Sequence, residues 1–114
     1  MSVIDELMKT AVADTDVLRL LDSQGDRFSA HRDVEFLLRA PTPEKADMVA
    51  SFINDHGFGV ASVNDPQGLA VLVVIRMPID QSVILSVSGF MVCLSRLFGL
   101  EYDGWGCVAQ ATRP

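Results

Sequence analysis

Basic side chains are scarce in this chain: nine Lys and Arg stand against fifteen Asp and Glu, for a formal net charge of −6. Affinity for a phosphate backbone comes from clustered Lys and Arg that release counterions, so this balance argues against direct nucleic-acid binding. It suits a basic protein surface, or solubility alone. Cysteine is scarce too. Cys93 and Cys107 are the only two, and lone thiols in a reducing compartment usually serve as packing residues. Met1 to Lys9 carries Asp5 and Glu6 and lacks an apolar signal region, so a cytoplasmic protein is expected. The longest charge-free stretch, Gln81 to Ser95, is short for a bilayer span and rich in Ser and Gly, so no membrane segment is expected. No repeat, low-complexity tract or linker divides the 114 residues, and 49% of them are apolar. Residues 1–114 are therefore read as a single domain with its own core.

Ile4, Leu7, Met8 and Ala11 recur at helical spacing. Asp14, Thr15 and Asp16 interrupt that pattern and predict the cap of a second short helix carrying Val17, Leu18, Leu20 and Leu21. Asp14 and Asp16 resemble the start of a calcium loop, but the Gly and terminal Glu of such a loop are missing. The turn Gln24-Gly25-Asp26 ends this N-terminal helical segment, residues 1–24.

A core follows over residues 32–110. Val34, Phe36 and Leu38 alternate with Asp33, Glu35 and Leu37, the mark of a strand with one inner face. Thr42, Pro43 and Glu44 open a helix with a capping hydroxyl, a first-turn proline and an acid at the positive end. Ala46, Val49, Ala50 and Ile53 form its stripe, and Gly57 stops it. Phe58 to Val63 reads as a second strand, Asn64 to Gly68 as a hairpin loop, and Leu69 to Met77 as a third strand. That third strand is apolar on both faces and so central. Asp80 begins a last helix, apolar around most of its girth, with Gly89 in its middle marking close packing. Gly99 ends it, and Tyr102 to Ala109 is the fourth strand. The order β-α-β-β-α-β after a helical segment predicts an α+β, ferredoxin-like sandwich. Its first and third strands are central and its fourth lies beside the first. Between Asp80 and Arg96 the last helix has no charge, so its outer side needs a cover. Ile4, Leu7, Met8 and Ala11 are one candidate, and a second copy of the chain is the other.

Chemistry is hard to place on this frame. Nucleophilic catalysis needs a Ser or Cys beside an oriented His. Cys93 is mid-helix, Cys107 is in a strand, His31 is in a turn and His56 is at a helix end. Their spacing brings none of them together and offers no paired zinc ligands, so no catalytic cleft is expected. Gly57-Phe58-Gly59 and Gly104-Trp105-Gly106 do not open helices, so they are not phosphate loops. An RNA-recognition module shares the strand order but needs aromatics on its central strands, and the third strand has none.

The run Gly99-Leu100-Glu101-Tyr102-Asp103-Gly104-Trp105-Gly106 resembles the signature of the ribonuclease E inhibitor B family, a Gly-Tyr-Asp-Gly-Trp strand after an apolar helix. Leu21 to Asp26, with Gly25 and Asp26, resembles the family's Leu-x-x-Asn-Gly-Asp-Asp turn. Arg32 to Phe36 resembles its Arg-x-Val-Asp-Phe strand, and Pro43 to Gly57 its Thr-x-Glu-x-Ala helix. The chain departs from the pattern at Gln24 and Arg27, in a third strand without an aromatic, and in a last helix carrying Ser, Val and Gly for Glu and Lys. The resemblance implies a non-enzymatic protein without cofactor. It would bind the C-terminal scaffold half of ribonuclease E, reduce RNA cleavage and alter degradosome composition. A ferredoxin-like module that self-associates as a homodimer, or senses a small ligand, is the alternative.

Strand alternation suggests where a partner would sit. With Val34, Phe36 and Leu38 inward, Asp33, Glu35 and Leu37 face out. If Gly104 and Gly106 face the helices, Asp103 and Trp105 lie outward beside Glu35, with Leu37 and Leu72 at the edge. Such a patch suits an Arg-rich segment, with carboxylates for the guanidinium fork and an indole for its face. The other reading makes Trp105 a core residue.

Overall fold

Ser2 caps the first helix, its hydroxyl accepting the Asp5 amide at 3.1 Å, and Asp5 and Glu6 follow at the positive end. The computed structural model describes residues 2–111. Helix α1 spans Val3–Ser23 without a break, which corrects the expected pair of short helices. Thr15 satisfies its hydroxyl within the helix by donating to the Ala11 carbonyl at 2.8 Å. Asp16 points outward to Arg19. Asp14, far from capping a helix, turns into the interior, with 4% of its surface exposed. Leu7, Ala11, Asp14, Leu18 and Leu21 therefore share one face.

Strand β1 (Arg32–Arg39) buries Val34, Phe36 and Leu38. Helix α2 (Pro43–Asp55) starts at Thr42, whose hydroxyl accepts the Lys45 amide at 3.2 Å, and buries Ala46, Val49, Ala50 and Ile53. Strand β2 is Val60–Val63, shorter than expected, because Phe58 joins an aromatic cluster with Phe52, His56 and Phe90. In the hairpin loop Asp65 accepts the amides of Leu69 and Ala70 at 2.6 and 2.8 Å. Strand β3 (Ala70–Met77), helix α3 (Gln81–Phe98) and strand β4 (Glu101–Cys107) follow.

The result is α+β: three helices and a four-stranded antiparallel sheet in the order β2-β3-β1-β4. β1 and β3 are central, and β4 lies beside β1, as strand patterning predicts. The core fills the space between the sheet and the helices, around Phe36, Leu38, Val73, Ile53, Ile84 and Met91.

Helix α3 needs its cover, and α1 provides it. A Cβ added to Gly89 would stand 3.5 Å from Leu7, so the glycine marks the crossing of the two helices. Only part of the expected set takes part. Leu7 and Ala11 turn inward, while Ile4 and Met8 remain 68% and 66% exposed. Counted through Arg96 to Phe98, α3 has eighteen residues at mean hydropathy 1.5, enough by length and composition to cross a membrane, contrary to what its charge-free run alone suggests. Here the sheet takes one side of it and α1 another.

Candidate functional site

The motif on β4 acquires its geometry from one backbone irregularity. β1 and β4 pair Val34 with Cys107, Glu35 with Gly106 and Phe36 with Trp105. The register then shifts, and Leu38 faces Tyr102. Asp103 and Gly104 together oppose Leu37, a β-bulge that Gly104 permits at φ 97°. An unbroken strand would put residues three apart on opposite faces. The bulge puts Tyr102 and Trp105 on the same one, toward the helices.

Trp105 is therefore not outward, as alternation suggested, and the two glycines do not face the helices: Gly106 stands opposite Glu35 and is exposed. The Trp105 indole packs half-buried against the core, and its Nε1–H donates to Asp14 Oδ1 at 2.9 Å. One residue pair away, Tyr102 and the buried Ser88 of α3 share a hydrogen bond of 2.8 Å. Asp14, Ser88, Tyr102 and Trp105 thus join α1, α3 and β4 through polar side chains in an otherwise apolar seam. Burial holds the Asp14 carboxyl above the ordinary carboxylate range, with Ser88 and Trp105 opposing the shift. Burial likewise raises the Tyr102 phenol; Ser88 opposes this and the Asp14 charge adds to it. Asp14 Oδ2 is closed from solvent and has no hydrogen-bond partner among the described residues.

The second motif segment builds a clamp. Arg32 Nη1 and Nη2 donate to the two Asp26 oxygens at 2.7 and 2.9 Å, in a pair with both side chains buried. Arg32 also donates to the carbonyls of Arg27 and Ala30, and Asp26 accepts the Gln110 amide at 2.9 Å. Burial alone would raise the Asp26 carboxyl, but Arg32 and the Gln110 amide outweigh it and hold it below its usual range. Gly25 makes the turn at φ 79°. Neither residue is open to a partner; both tie the turn after α1 to the segment beyond β4.

The open face of the sheet carries Asp33, Glu35 and Leu37 from β1 and Asp103 from β4, where patterning puts them, and Glu101 beside them. Arg39 Nε donates to Asp103 at 2.9 Å, and Arg76 lies 3.6 Å from Asp33, both in exposed pairs. Glu35 has no ionic partner among the described residues. A shallow depression runs between Glu35, Leu37, Leu72 and Asp103. Trp105 borders it while sending its indole N–H to Asp14.

Among the described residues, the histidines and cysteines do not come together. His31 is exposed, and His56 caps α2 with Nδ1 3.0 Å from the Phe52 carbonyl. Neither hydrogen-bonds a cysteine among the described residues. Burial pushes the Cys107 thiol up despite the neighbouring Arg32, the wrong direction for a nucleophile. No cluster of three or more His, Cys, Asp or Glu that could hold a metal occurs among the described residues.

Sequence reading missed Asp14, Ser88 and the partnership of Arg32 with Asp26. Asp14 had a signal: seven residues after Leu7 and four before Leu18, it sits on the stripe of one long helix. Ser88 had none, since a serine in an apolar helix has no local cue to a tyrosine hydroxyl beyond the next turn.

The fold and its seam define a small α+β protein whose motif residues serve mainly to join elements, with a free acidic sheet face beside them. The chain belongs to the regulator of ribonuclease activity B family, whose pattern it matches over residues 11–107. The match begins within α1 and ends at the last residue of β4. No curated protein matches the chain closely.

Proposed function

We propose that the chain is a non-catalytic cytoplasmic protein that binds ribonuclease E and lowers its RNA cleavage, using the open face of its sheet. The observation that carries this reading is the set of exposed Asp33, Glu35 and Asp103 around the half-buried Leu37, which no helix covers and in which Glu35 has no ionic partner among the described residues. Carboxylates around Leu37 and Leu72 suit a segment that mixes Arg with apolar side chains. Trp105 supports that surface from behind, by holding β4 against α1. The scaffold half of ribonuclease E is the proposed partner, without RNA contact by this chain.

The test is the double variant Glu35→Lys, Asp103→Lys. Retention on the immobilised scaffold region should be lost, and inhibition of cleavage with it. The melting temperature should move little, because exposed ion pairs such as Arg39–Asp103 contribute only about 0–1 kcal/mol. Undiminished binding by a folded double variant would overturn the assignment.

A second reading, self-association as a homodimer, is favoured by Ile4, Met8 and Leu97, which are 68%, 66% and 83% exposed on α1 and α3. A light-scattering mass equal to one chain at high concentration would dismiss it.

A further inference from the structure

The cleft between α1 and β4 has a volume of about 340 Å³ and is lined by Glu6, Lys9, Thr10, Asp14, Tyr102 and Asp103, among others. We propose that it receives a guanidinium group, an arginine side chain of a basic protein segment, with the Asp14 carboxylate as its floor. The proposal rests on the reading of the chain as a binder of such a segment, and it places the anchor at the rim of the sheet rather than on the open face alone.

Three observations converge on that floor. Asp14 is 4% exposed, so its charge is little screened by water. Trp105 fixes one of its oxygens, while Oδ2 makes no full hydrogen bond among the described residues; the nearby Ser88 hydroxyl, which lowers the carboxyl's pKa, is already shared with Tyr102. A buried acceptor so weakly served is an expensive arrangement that an incoming N–H would relieve. Reaching Oδ2 takes a side-chain displacement at the cleft floor, and the tethered indole would register it.

The same geometry selects among cations. An ammonium is strongly hydrated and loses more on entering a half-closed site, whereas a guanidinium is weakly hydrated and planar, with several N–H groups to divide between Oδ2 and the rim. One buried carboxylate is too few ligands for a divalent metal. The rim carboxylates are already engaged, Glu6 by Arg96 at 2.8 Å and Asp103 by Arg39 at 2.9 Å, and Lys9 opposes entry. Asp14 is therefore the principal attraction. Ser88 from α3 and Tyr102 and Trp105 from β4 complete its surroundings, and none of these carries a positive charge. Because burial raises the Asp14 carboxyl, binding should weaken as the pH falls.

Trp105 is the only tryptophan, so the full chain has a single indole N–H signal, and that group donates to Asp14. Titrating the ¹⁵N-labelled protein at neutral pH and constant ionic strength with N-acetyl-arginine amide should shift this signal saturably. N-acetyl-lysine amide should bind at least about fivefold more weakly. Asp14→Asn, which keeps an acceptor for the indole, should weaken arginine binding by about tenfold or more. Lys9→Glu, on the exposed rim, should strengthen it about threefold. An unsaturable response, equal binding of the lysine compound, or unchanged affinity in folded Asp14→Asn would each overturn the proposal. Should Asp14→Asn fail to fold, unchanged affinity in Lys9→Glu decides against it. No ribonuclease is present in this titration, so its failure is separate from failure of the pull-down with the double charge variant.

Discussion

Asp14 occupies a position where a leucine would complete the buried stripe of α1, and stability there depends on its proton. Its pKa is raised in the folded state by burial. Its contribution to stability is therefore fully present below the unfolded value and is lost as the pH rises through the higher folded value. Asp14→Asn keeps an acceptor for the Trp105 indole and removes the buried charge. It should stabilise the protein at neutral pH by about 1 kcal/mol. Thermal melts across the acid range should show the two proteins converging as the pH falls. The depressed Asp26 carboxyl is common to both and cancels. A gap that stays constant with pH, or a variant that melts lower at neutral pH, would refute the argument. This residue also marks a boundary of legibility. Asp14, Thr15 and Asp16 carry the local chemistry of a helix cap, and only the partner supplied by Trp105, 91 residues away, decides that Asp14 goes inside instead. The pairing of Arg32 with Asp26 is near in sequence, six residues apart, but it was hidden because an exposed-looking turn carries no local cue that its acid is buried against the next strand.

At the scale of elements, periodicity succeeded where a face is uniform. β1, α2 and β3 appear close to their expected limits because Val34-x-Phe36-x-Leu38, the Ala46–Ile53 stripe and the run to Met77 each report burial directly. Alternation failed on β4, where one extra residue resets it. The Asp103-Gly104 pair is the kind of dipeptide that marks such a bulge, but spacing alone cannot tell a bulge glycine from a packing glycine. A Cβ added at Gly104 would meet open space, but φ there is positive, so the cost of substitution is backbone strain. Gly104→Val should lower stability by about 1–3 kcal/mol in chemical denaturation; a variant as stable as the parent would show that the bulge does not depend on glycine. Removal of residues 1–13 should uncover α3 around Gly89 and cause oligomers or aggregates in light scattering. A truncated chain that stays monomeric with an unchanged melting temperature would contradict the covering role of α1.

Over the whole molecule, net charge sets how a partner is met. With −6 overall and Glu35 without an ionic partner among the described residues on the open face, capture of a basic segment should slow and weaken as salt rises, because exposed charges are screened beyond about 10 Å at 0.1 M. The architecture was legible because local patterns fix the element order, whereas the polar bonds that tie α1 and its following turn to β4 and the segment beyond it were not, because they join distant parts of the chain. Asp14 meets Trp105 across 91 positions, and Asp26 meets Gln110 across 84. On a ribosome adding roughly 5–20 residues per second, α1 would emerge first and wait on the order of 5–20 seconds for the strand that holds it. Through that interval its greasy side has no permanent home, and a nascent chain in this state is what a chaperone would meet.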